Sequence, residues 1–145
     1  MEPEGVPTRE DWGDLNIDPE VESGYQLLGG KSREQVLPLF LENPLERAAE
    51  LHFTPRAVFN YYVFCFVDHL LSPNSRGESD MASCFLRLVR GRAQTHPRHL
   101  EQVWADLWPA VATVAAQQAF YEADEAIYGS FATLAEEIES AHTLG

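Results

Sequence analysis

Lysine is almost missing from this chain: Lys31 is the only one, and residues 99–145 hold neither lysine nor arginine. An acidic surface without lysine patches repels phosphate backbones and anionic lipid, which argues against direct nucleic-acid or membrane binding. Cysteine is scarce too, with Cys65 and Cys84 each inside an apolar pattern, so buried free thiols are expected rather than a disulfide framework. Long hydrophobic runs are absent. The densest, residues 57–67, contains Asn60 and falls short of the roughly 20 residues a membrane span requires. The start, MEPEGVPTREDWGD, lacks the basic and apolar regions of a secretory signal, and a cytoplasmic location is expected. Alternating apolar and polar stretches and hairpin dipeptides are also lacking, which leaves an all-α fold, a single-domain bundle of five to seven helices.

What is present is acid, unevenly placed. The net charge is -13; eight acids fall in residues 1–24 and eight in 99–145, while five arginines (Arg76, Arg87, Arg90, Arg92, Arg98) lie in 76–98. Such a field attracts basic partners, and it equally serves solubility alone. The arginines are expected to tie the middle of the chain to its acidic ends, or to meet an acidic ligand.

Residues 1–24 carry Pro3, Pro7 and Pro19 with charges throughout and read as an extended or disordered acidic arm, anchored at most by Trp12, Leu15 and Ile17. The helical domain is expected over 25–145. Ser32 and Gln35 form a capping box that opens a helix near Arg33, with Pro38 as a kink. Asn43–Pro44 and Thr54–Pro55 each offer an N-cap and first-position pair. The second pair opens a central apolar aromatic helix through Phe59, Tyr62, Val63, Phe66, Val67 and Leu70. Ser79 or Asp80 caps an amphipathic helix bearing Met81, Cys84, Phe85, Leu88 and Val89. Pro97 opens another, which Trp108–Pro109 breaks or bends. From Pro109 an alanine-rich helix is expected, its apolar stripe running through Phe120, Ile127, Phe131, Leu134 and Ile138, with Gly129 as a stop and Ser130 as the next cap.

Motifs for chemistry fail on inspection. Gly29-Gly30-Lys31-Ser32 lacks the earlier glycine of a phosphate loop, position 25 being Tyr, and Ser32 is better used as a cap. Asp14, Asn16 and Asp18 match the start of a calcium loop, but Pro19 and Tyr25 stand where glycine and a bidentate acid are required. His99-Leu100-Glu101 has no downstream cysteine pair for zinc, and Glu139 with His142 is a single E-x-x-H where two are needed; His142 reads as a frayed terminal residue. No catalytic residue, metal or cofactor is therefore expected.

Two sets of candidate residues remain. Glu122, Asp124, Glu125, Glu136, Glu137 and Glu139, with Trp12 from the arm, form the surface expected to bind a basic protein, in the manner of an immunity or inhibitor protein. Tyr62, Asp68, His69 and Arg87 are the expected lining of an inter-helix pocket if the chain is a small enzyme or ligand-binding protein. A homo-oligomeric adaptor resting on exposed Trp104 and Trp108 is the third reading.

Overall fold

A computed structural model describes residues 5–145, and every regular element among them is helical. In chain order they are α1 (Pro19–Leu28), α2 (Arg33–Glu42), α3 (Pro44–Leu51), α4 (Arg56–Leu70), α5 (Ser79–Thr95), α6 (Trp104–Ala115), α7 (Glu125–Tyr128) and α8 (Phe131–Leu144), with 3-10 turns at Glu10–Trp12, Pro73–Ser75 and Pro97–Val103. Seven of these helices have eight or more residues, and α7 is a single turn. The all-α expectation holds. None of these helices is long and apolar enough to cross a membrane.

Local chemistry sets many of the boundaries. Ser32 accepts from the Gln35 amide at 3.3 Å while Gln35 accepts from the Ser32 amide at 2.8 Å, completing the capping box. Asn43 caps α3 through the Glu46 amide at 3.2 Å, and Ser130 caps α8 through the Thr133 amide at 3.2 Å. Pro38 and Pro109 lie inside α2 and α6 without ending them. Both prolines are exposed, as are Glu34 and Ala105, so the carbonyls that lose a partner are left to water.

The core runs between α4 and α5. Val58, Phe59, Tyr62, Val63, Cys65, Phe66 and Leu70 of α4 meet Met81, Cys84, Phe85, Leu88 and Val89 of α5, and α5 also packs on α3 and α8. Both thiols are free and buried, as expected; burial pushes the Cys65 thiol well above its ordinary value and Cys84 up to about 11.

Five expectations need correction. The arm does not extend to residue 24: Asp18 and Pro19 are an N-cap and first-position pair like Asn43–Pro44, and α1 crosses the expected domain boundary. Val21, Gly24 and Leu28 form its buried face at helical spacing, a period masked in the sequence by the flanking acids. Residues 1–4 of the arm lie outside the described residues. Thr54 does not cap α4; its hydroxyl donates to the Leu51 carbonyl at 2.7 Å, and α4 starts one residue later. Neither Ser79 nor Asp80 is the N-cap of α5, because the helix already includes both. The alanine-rich helix stops at Ala115, and residues 116–124 are irregular. His142 is not frayed: its ring lies 3.6 Å from that of Trp104, nearly parallel.

Candidate functional site

The four residues expected to share a pocket go to separate partners. Tyr62 is wholly buried, its hydroxyl reaches the carbonyls of Leu28 (2.7 Å) and Lys31 (2.6 Å), and desolvation by burial pushes its phenol well above the ordinary value. Asp68 pairs with Arg33 at 3.5 Å; desolvation raises its pKa and Arg33 offsets part of that rise. His69 pairs with Glu78, not with its neighbour Asp68. Arg87 donates to the Tyr128 carbonyl at 2.5 Å. The expected Asp68–His69 acid–base pair is thus not formed: Asp68 turns to Arg33 and His69 to Glu78.

The arginines partly do what the charge map implied. Arg90 meets Glu137 of α8 at 3.3 Å, and Arg87 reaches the end of α7, so α5 is fastened to the C-terminal segment. Arg76 lies over the Phe120 ring at 4.8 Å and Arg98 pairs locally with Glu101 at 3.7 Å. Arg92 is buried.

The acidic C-terminal residues are organised by a side chain that the sequence did not flag. Gln118 donates through Nε2 to the carbonyls of Ala123 (3.0 Å) and Gly129 (2.7 Å) and accepts from the Phe131 amide at 2.9 Å. One neutral amide so satisfies three backbone groups of a segment that has no ladder of its own. Asp124 caps α7 through the Ala126 amide at 2.9 Å, and Tyr128 bonds Asp80 at 2.7 Å and Ser79 at 3.0 Å. Below, Tyr121 donates to the Leu70 carbonyl at 2.7 Å. Gly77, at φ 80°, donates to the Phe120 carbonyl at 3.0 Å, and a Cβ there would lie 2.8 Å from the Glu122 carboxylate.

On this fixed segment Ile127 stands 74% exposed, outside the apolar stripe in which the sequence placed it. Glu122, Asp124 and Glu125 flank it, all exposed, while Glu136 and Glu139 share the outer side of α8. None of these five takes part in an ion pair among the described residues; Glu137 does, with Arg90. Trp12 does not belong to this surface. It is 1% exposed, edge-on to Tyr25 at 5.4 Å and against Tyr62 at 6.0 Å, because an indole has far more to gain in that aromatic cleft than in water. An isolated isoleucine inside ADEAIYG was the available signal for an exposed anchor.

Among the described residues no group of three or more His, Cys, Asp or Glu is arranged to hold a metal ion. Compared with protein families, characterised proteins and solved structures, the chain finds no match.

Proposed function

We propose that this chain is a non-enzymatic binding protein of the immunity or inhibitor type, whose partner is a basic protein gripped at Ile127 and its flanking acids. The observation that carries the reading is a large aliphatic side chain held out to water by a segment that is internally hydrogen-bonded around Gln118. Interfaces concentrate their energy in a few apolar anchors inside a polar rim, and a segment ordered beforehand saves the cost of ordering it on association. The flanking carboxylates speed the approach of a basic partner. The adaptor reading has less support, since Trp104 and Trp108 are half-buried and stacked at 5.5 Å.

The test is capture from native extract at low salt on three immobilised chains: wild type, Ile127→Glu, and a triple variant with Glu125, Glu136 and Glu139 changed to Lys. Asp124 is left alone because it caps α7. The expected result is one basic protein held by the wild type, released by salt and lost from both variants. Recovery of the same bulk basic proteins on all three chains would show that the acid serves solubility.

A further inference from the structure

Arg92 is only 3% exposed and has no carboxylate partner among the described residues. Its Nη2 donates to the carbonyls of Leu51 (3.4 Å), His52 (3.2 Å) and Thr54 (2.7 Å) at the end of α3, and its guanidinium covers Phe59 at 4.1 Å. A helix C-terminus supplies about half a negative charge, so a good part of the positive charge stays uncompensated. Burial lowers the pKa of Arg92 to about 10, which still leaves it charged at neutral pH.

Above it lies a hollow of about 260 Å³ whose lining includes His52, Phe53, Thr54, Thr95, His96 and His99 and no acid. The hydrogen bonds fix the rings. Arginine can only donate, so His99 accepts from Arg92 Nη1 through Nδ1 at 3.1 Å and carries its proton on Nε2. Thr95 donates to the Gly91 carbonyl at 2.9 Å, so its oxygen accepts from His96 Nδ1 at 3.1 Å. The two rings stack at 4.6 Å. Burial lowers the His99 pKa, with Arg92, His96 and Arg56 adding to the effect. His52 also borders a second, mostly apolar depression of about 440 Å³ between α3 and α5, lined by Leu45, Ala48, Ala49, Cys84 and Leu88 together with Ser83 and Arg87. His52 thus stands between a hollow floored by an arginine and a mostly apolar trough.

We infer that this face binds a small anionic amphipath, a carboxylate or phosphate held at His99 Nε2 over Arg92 with an aliphatic tail along the trough between α3 and α5. Arg92 is buried with no carboxylate to balance its charge among the described residues, three histidines stand round the hollow above it, and the adjoining trough distinguishes such a ligand from an inorganic anion. The inference is independent of the protein-binding reading, since it uses none of residues 116–139.

The test is calorimetric titration of the full chain at pH 7 with octanoate, octyl phosphate, octanol, acetate and inorganic phosphate. The octyl anions are expected to bind on the order of tenfold or more tightly than octanol and than the two small anions. The stronger of the two octyl anions identifies the head group. His99→Phe keeps an aromatic ring in the stack and removes both the Nε2 donor and the acceptor of Arg92 Nη1; it should weaken both octyl anions about tenfold and leave octanol unchanged. Leu45→Asp, on the surface of α3, should weaken the octyl anions several-fold and leave acetate unchanged. Equal affinity for octanol and octanoate would overturn the inference. So would small anions binding as well as octyl ones, or octyl-anion binding that neither variant changes.

Discussion

Two irregular parts of this molecule are each held by one side chain, and the two side chains differ in kind. Gln118 ties the segment before α8, and Arg92 ties the chain after α3. An amide offers both donors and an acceptor, so Gln118 closes its segment with no net charge left over, and the surrounding acids face outward unpaired. A guanidinium only donates, so Arg92 can satisfy carbonyls but carries its charge into the hollow that it floors. The same structural task leaves one region edged by unpaired acids and the other a hollow floored by an arginine.

Replacing each of these side chains sharpens that contrast. Arg92→Leu keeps the bulk, strands the carbonyls of Leu51, His52 and Thr54, and should cost about 3 kcal/mol in urea unfolding. Gln118→Ala removes three bonds at a half-buried site and should cost about 1–2 kcal/mol. It should also speed amide exchange at Phe131 while leaving Thr54 unaffected. A larger loss for Gln118→Ala than for Arg92→Leu would break the comparison.

Smaller still is a pH effect confined to the hollow. Burial, with Arg92, His96 and Arg56 facing the ring, puts the folded pKa of His99 below the ordinary 6.5, and His52 lines the same space. The unfolded chain then binds the extra proton, and stability falls as pH drops through 6.5 toward the depressed folded value. His99→Gln should flatten that limb of the stability curve, and an unchanged limb would assign the acid sensitivity elsewhere. The least effect on folding belongs to Ile127→Glu. An exposed side chain contributes little, so the urea midpoint should stay within about 0.5 kcal/mol of wild type while partner capture is lost.

The helix starts at Ser32, Asn43 and Ser130 were legible because capping is written in three or four consecutive residues. The start of α1 is harder to read although Asp18–Pro19 has the same grammar, since acids at every other position hide a buried face of Val21, Gly24 and Leu28. The two tying side chains were illegible for a different reason. Gln118 spans up to 13 residues and Arg92 up to 41, and no local pattern encodes which carbonyls a fold will bring to them. Helical spacing puts Ile127 in the apolar stripe only if the helix continues beyond Ala115, and it stops there.

The two cysteines turn this protein into a timepiece for its own opening. Only a thiolate reacts with an alkylating reagent, and both thiols are buried in folded chains with their ionisation pushed upward. Cys65, fully enclosed within α4, should modify only when the whole core comes apart. Cys84 borders the trough beside α3 and should modify sooner, whenever that helix alone lifts away. The interval between the two modifications, read by mass spectrometry on unmutated protein, would measure how far the lifting of α3 precedes the loss of the fold.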